Sequence, residues 1–181
     1  MDPTKMNPTR KRNNPEIQRM AEHIKSAYDI AKSMGVRNLF YNEGYVDLLI
    51  ADTLGHHYNV ATQGPDAYGD DADWCEYKTI NAKPGKDGEP SWKGGTFQFH
   101  WLSRAKILKY EKTDTFYFVL RDGVELKEIW SLPWSVVCPL LRKKAEEKGT
   151  LKEGKKNTAA HFGLKLTQVK DLGGKLEYPC P

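Results

Sequence analysis

The chain has 181 residues, 39% of them hydrophobic and 29% charged, with a formal net charge of +4 and a pI near 8.8. That length supports a sizeable core, the composition is too apolar for a disordered chain, and no apolar run approaches the ~20 residues of a membrane-spanning helix. Cys75, Cys138 and Cys180 are far apart and form no CxxC pair. Neither a zinc cluster nor a disulfide framework is therefore expected, and reduced thiols suit a cytoplasmic protein.

Residues 1–14 carry Lys5, Arg10, Lys11 and Arg12 against one acid, Asp2, and no apolar stretch of the kind a secretory signal needs. They read as a flexible basic arm ahead of a single domain over residues 15–181. A helix is predicted from Pro15, a residue suited to a first turn, to Met34, with Gly35 as its cap. Ile17, Met20, Ile24, Tyr28 and Ala31 recur at helical spacing, a one-sided stripe that packs on a core or on a second subunit. A second helix is predicted over Gly44–Leu54, closed by Gly55. Tyr58–Thr62 reads as a short strand, Gly64-Pro65 as a turn and Asp70–Asp73 as a loop. Trp74–Ile80 alternates apolar and polar residues as a half-buried strand does.

Residues 82–95 are rich in glycine and proline and read as a long loop, the kind that tends to be functional. A third helix is expected over Trp101–Tyr110. Strands are expected over Thr115–Leu120 and Val124–Trp130, joined by the hairpin signal Asp122-Gly123. The stretch from Arg142 to Lys156 sets seven cations against three glutamates and is expected to contain a helix. With the basic arm it would attract a phosphate backbone. Leu164–Val169 and Lys175–Tyr178 suggest a last hairpin across Gly173-Gly174. The order implies an α+β fold, a mixed and mostly antiparallel sheet flanked by helices.

Asp66 follows the Gly64-Pro65 turn, and after nine intervening residues comes Glu76-Tyr77-Lys78. Strand geometry puts Glu76 and Lys78 on one face, with Tyr77 opposite. A returning chain could bring Asp66 beside Glu76. Two converging carboxylates repel unless a cation lies between them, and a hard ion such as Mg²⁺ takes oxygen ligands. Asp66, Glu76 and the backbone carbonyl of Tyr77 are the expected metal ligands. Asp66, Glu76 and Lys78 are the expected catalytic residues, because an ammonium beside the metal favours the deprotonated form of an attacking water. That chemistry cuts a phosphodiester. Taken alone, the pattern also fits an exposed strand face with a surface ion pair. His56-His57 reads as a surface or core pair, Trp101, Trp130 and Trp134 as core or interface residues, and Glu43 as an acid favouring a helix start.

These residues resemble the PD-(D/E)XK nuclease superfamily, and within it the PvuII-type type II restriction endonucleases. The resemblance runs without gaps from Gly35-Val36-Arg37-Asn38-Leu39-Phe40 through Glu43-Gly44, Gly55 and Asp66-Ala67 to Glu76-Tyr77-Lys78-Thr79-Ile80-Asn81. It continues more loosely through His100, Lys109-Tyr110, Gly123, Asn157 and Gly173–Tyr178. It implies a restriction-endonuclease-like core in a homodimer that clamps double-stranded DNA in a U-shaped cleft, with helix 15–34 at the dimer interface. It implies Mg²⁺-dependent cutting at a palindromic site, as part of a restriction-modification system, leaving 5′-phosphate ends. No small-molecule substrate is expected. DNA contacts are expected from Asn42, Thr96, Gln98, His100, Tyr110 and Asn157, with Tyr110 near the backbone. Where the family carries three histidines this chain reads Gln98-Phe99-His100, and a family aspartate falls on Asn42, so the recognised sequence is expected to differ. Two further readings are a DNA-binding protein without catalysis and a structure-specific repair nuclease of the same superfamily.

Overall fold

The computed structural model describes residues 15–36, 39–41, 43–61, 64–152 and 160–178. Asn42, Asn157 and the basic arm over residues 1–14 lie outside them. Helix α1 (Pro15–Ser33) is followed by α2 (Gly44–Leu54) and the two-residue strands β1 (His57–Tyr58) and β2 (Ala67–Tyr68). Then come β3 (Trp74–Asn81), the small pair β4 (Lys83–Pro84) and β5 (Pro90–Ser91), β6 (Phe97–Phe99) and α3 (Arg104–Tyr110). The chain continues through β7 (Thr115–Asp122), β8 (Glu125–Pro133), α4 (Trp134–Glu147), β9 (Phe162–Leu164), α5 (Leu166–Asp171) and β10 (Lys175–Tyr178).

The main sheet runs β1-β2-β3-β7-β8-β10. All its pairings are antiparallel except β3 with β7, which run parallel with Glu76 opposite Phe116 and Lys78 opposite Phe118. Parallel neighbours need a long crossover, and residues 82–114, with β4, β5, β6 and α3, supply it. Both faces of the sheet are covered. Phe97, Phe99, Tyr110, Phe116, Phe118 and Leu141 fill one core, and Val46, Ile50, Ala67, Tyr77, Val119 and Ile129 fill the other. For that reason Cys75, Glu76 and Tyr77 are buried in succession, and β3 is not the half-buried strand its alternation suggests.

Helix α2 has the predicted bounds, and Gly55, at φ 71°, caps it as only a residue tolerant of the left-handed region does easily. The β7–β8 hairpin turns on Gly123, at φ 61°. Other elements differ from the prediction. Helix α4 begins at Trp134, well ahead of the basic stretch, and carries Pro139 inside it. Helix α3 starts at Arg104, where the Ser103 hydroxyl accepts the Lys106 N–H at 3.2 Å. Residues 82–95 are not a plain loop, since β4 and β5 pair within them. The expected hairpin after Leu164 does not form: Leu166–Asp171 is helix α5, started where the Gln168 side chain accepts the Lys165 N–H, with Val169 buried. Strand β10 instead pairs with β8, and β9 with β6.

Helix α1 buries only Ala31 among its own residues. Ile17 (59% exposed), Met20 (58%) and Ile30 (59%) face outward, so this stripe is not covered by the chain's own core. Among the described residues no helix is long and apolar enough to cross a membrane. Cys75 and Cys138 are buried free thiols, as expected of them.

Candidate active site

Strand β2 is short, so the β3 edge beyond it is open to a side chain. Asp66 uses that edge twice: its N–H donates to the Cys75 carbonyl at 3.0 Å, and its Oδ2 accepts the Tyr77 N–H at 2.7 Å. This replaces ladder bonds with a carboxylate and fixes Asp66 against the strand carrying Glu76. Glu76 is 3% exposed and pairs on both oxygens. Lys78 Nζ lies 2.7 Å from Oε1, and Lys109 Nζ, from α3, lies 3.2 Å from Oε2. Lys78 Nζ also donates to the Tyr77 carbonyl at 3.1 Å. Beneath it are the rings of Phe99 (5.5 Å) and Tyr110 (5.6 Å), whose π faces favour a cation. The predicted carboxylate from a turn thus meets a carboxylate and an ammonium from one strand face.

A cleft of roughly 380 Å³ opens over this group, with Asp47, Asp66, Glu76, Lys78, Gln98 and His100 among its lining residues. Burial would raise the Glu76 pKa, but the Lys78 and Lys109 ammoniums outweigh it and hold the carboxyl below its usual range. Asp66 moves the other way: burial first, then repulsion from Glu76, push it up to about 6. Asp47, on α2, is pushed up to about 8 by burial and by the Asp66, Glu76 and Glu43 charges. Burial alone would lower the Lys78 pKa, yet Glu76 raises it well above the ordinary lysine value, so Lys78 stays an ammonium. Asp47, Asp66 and Glu76 crowd three carboxyl groups together, and a hard cation seated among them would relieve their repulsion. Among the described residues no three His, Cys, Asp or Glu side chains form a metal-binding group. Asp66, Glu76 and the Tyr77 carbonyl, together with water, could hold a divalent cation here.

The other expected residues fall in different places. Thr96, Gln98 and His100 line up along β6, where Phe97 and Phe99 point into the core while Gln98 and His100 are exposed. Gln98 Nε2 donates to Thr96 Oγ1. Tyr110, expected near the DNA backbone, is 1% exposed, and its ring packs on Phe99 and Phe116 with Lys106 Nζ 4.9 Å from its face. The structure places it in the wall under Lys78, not on an open surface. His56, by contrast, bonds Tyr77 Oη at 2.8 Å behind the sheet, a core role. Trp101 is not a core residue of this chain, being 62% exposed.

Several groups were missed in the sequence. Asp47 had a signal, a lone charge inside the apolar run Tyr45 to Ile50. Lys109 and Lys106 had only their spacing of three along α3, which puts both on one helix face. Glu43 does not cap α2 with its side chain. It adopts φ 61° and pairs with the buried Arg121 guanidinium at 2.7 Å.

The mixed sheet flanked by helices is that of a restriction-endonuclease-like fold. A family model described as restriction endonuclease PvuII matches residues 12–175, most of the chain. The chain belongs to that family of type II restriction endonucleases, which are DNA phosphodiester hydrolases and ordinarily use divalent metal ions. A search among curated proteins gave no match.

Proposed function

We propose that this chain is a type II deoxyribonuclease that cuts double-stranded DNA at a palindromic site with Mg²⁺, leaving 5′-phosphate and 3′-hydroxyl ends. The observation that carries this reading is the meeting of Asp66, Glu76 and Lys78 in one cleft beside exposed hydrogen-bonding side chains. Asp66, Glu76 and the Tyr77 carbonyl would hold the metal, which supplies polarisation of the scissile phosphoryl group and offsets charge on the leaving oxygen. Lys78, an ammonium with a raised pKa, is no general base. It holds the attacking water by hydrogen bonding and stabilises its hydroxide form, so the proton leaves to solvent. Lys109 keeps Glu76 ionised when Lys78 turns to the substrate. The hydroxide adds to phosphorus, the P–O3′ bond breaks, and the 3′ oxygen takes a proton.

The bare stripe of α1 supports a homodimer joined there. Met20, Ile24 and Ala27 line an apolar groove with Phe40, itself 55% exposed. A second copy covering this face would set two catalytic walls about a two-fold axis, as a U-shaped cleft and a palindrome require. Incubation with plasmid tests the whole reading. Discrete fragments with Mg²⁺, none with EDTA, and a Met20→Asp variant that sediments as a monomer are expected. Tight duplex binding without cutting at any divalent metal would leave only a DNA-binding protein.

A further inference from the structure

Helix α3 stands beside the catalytic group and is held there at both ends. Ile107 and Tyr110 are buried in the first core, and the Ser103 hydroxyl, which accepts the Lys106 N–H at 3.2 Å, fixes the first turn. Lys106 lies three positions before Lys109 and four before Tyr110, so the three share one helix face. Lys106 Nζ sits 4.9 Å from the centroid of the Tyr110 ring, and Lys78 Nζ sits 5.6 Å from the same centroid. Two ammoniums therefore stand on one phenol ring, and a third, from Lys109, reaches the carboxylate that Lys78 holds.

The three cations are not equivalent. Lys78 and Lys109 divide the two oxygens of Glu76 between them, at 2.7 and 3.2 Å. Among the described residues no carboxylate pairs with half-buried Lys106, whose close contact is the face of Tyr110. Burial lowers its pKa, the Glu76 charge opposes that, and Lys109 and Lys78 lower it further. A cation placed so, partly out of water and beside two like charges, costs free energy until an anion reaches it. The anion that a DNA substrate brings is a phosphodiester, which lysine binds as a point charge. With the scissile phosphate beside Lys78, the phosphate that falls to Lys106 is a neighbouring one. Successive phosphates of one strand are separated by about 3.4 Å along the helix axis, so two ammoniums on one ring suit two consecutive phosphates.

We propose that Lys106 is a substrate-binding residue that holds the backbone phosphate next to the scissile one on the same strand. The inference rests on the nuclease reading above. The test is steady-state cleavage, with Mg²⁺, of duplexes carrying the site at which the enzyme cuts, by wild type, Lys106→Met and Lys106→Arg. Salt is varied, and single neutral methylphosphonates replace the phosphates on either side of the cut. Lys106→Met should lower kcat/KM about 10-fold, through KM rather than kcat, and make the slope of log(kcat/KM) against log salt shallower by about 1. Lys106→Arg should keep the wild-type slope. A methylphosphonate at one flanking position should cost wild type about 10-fold and Lys106→Met almost nothing more, the non-additivity of two changes to one contact. A merely structural loss would lower kcat and leave the methylphosphonate penalty in place. An unchanged salt slope in Lys106→Met, or a penalty at every position as large in that variant as in wild type, would overturn the proposal and leave the nuclease reading intact. Wild type that cuts no duplex would overturn both.

Discussion

Strand β3 and the β6–β9 ribbon border the same cleft and are built to opposite specifications. Strand β3 is hydrogen-bonded along its length to β7, covered on both faces, and carries Glu76 almost wholly out of solvent. The ribbon is two strands of three residues, with one face in the core and Gln98, His100 and His161 exposed on the other. Chemistry needs charges whose positions cannot drift and whose solvent has been removed, because a low-dielectric, preorganised site makes each charge count for more. Reading a base needs groups that reach outward and can differ between relatives without disturbing the sheet. The contrast puts the buried charges in the ladder and the exposed hydrogen-bonding groups on the rim.

The strongest way to break that contrast is to remove a charge from the ladder. Asp66→Ala should lower cutting on the order of 10³-fold, the several kcal/mol a metal supplies to such a transition state, while duplex binding in a gel shift persists. Normal cutting by this variant would show that the chemistry lies elsewhere. Next in size, Lys78→Met should cost about 10²-fold or more in single-turnover cleavage. Lys78→Arg should not restore it, since a planar guanidinium does not fit the point-charge position between Glu76 Oε1, the Tyr77 carbonyl and two rings.

A smaller effect is expected on the rim. A Cβ at Gly163 would lie 3.1 Å from Thr96 Oγ1 and 3.2 Å from Gln98 Nε2, so both polar groups must shift by a few tenths of an ångström. Gly163→Ala should weaken binding to the cognate duplex by about 1 kcal/mol, within the range of one base contact, and leave thermal stability nearly unchanged. Equal binding by titration calorimetry would mean that Thr96 and Gln98 carry no reading.

The gentlest probe is pH. Asp66 and Asp47 have pKa values raised to about 6 and about 8 in the fold, against an ordinary aspartate value of 3.8. Between those limits the folded chain holds protons that the unfolded chain has released. The contribution of these two carboxyls to metal-free stability therefore falls as pH rises from about 4 towards about 8, and divalent cation binding strengthens over the same range. Asp47→Asn should flatten the upper part of both trends. A melting temperature in EDTA that climbs from pH 5 to 8 would contradict the carboxylate crowding seen in the cleft.

The meeting of Asp66, Glu76 and Lys78 was legible because local rules place them: a turn ends at Asp66, and strand periodicity sets Glu76 and Lys78 on one face. Helix α2 was legible because Gly55 marks its end. What escaped was tertiary. Lys109 reaches Glu76 from 33 positions away, through the packing of α3 on the sheet. Strand β6 is three residues long, and the Thr96–His100 alternation around it is short and follows directly on the glycine-rich stretch. Leu164 to Thr167 alternates like a strand, yet α5 forms because Val169 finds the first core only from a helix. The exposure of Trp101 follows from a bulge, which depends on the register of a pairing with residues 160–164 that no local pattern reveals.

The single parallel pairing has a lasting consequence. Because β3 and β7 run side by side in the same direction, the polypeptide is obliged to make a round trip between them, and β6, with Gln98 exposed beside the cleft, is hung on that trip. The excursion is held at its ends, at Asn81 opposite Arg121 and at Cys75 opposite Thr115, and between them Phe97, Phe99 and Tyr110 enter the core and Lys109 meets Glu76. Its outward-facing positions can be rewritten over generations while Asp66, Glu76 and Lys78 stay in register. A lineage built this way can acquire new target sequences without having to reinvent how it cuts.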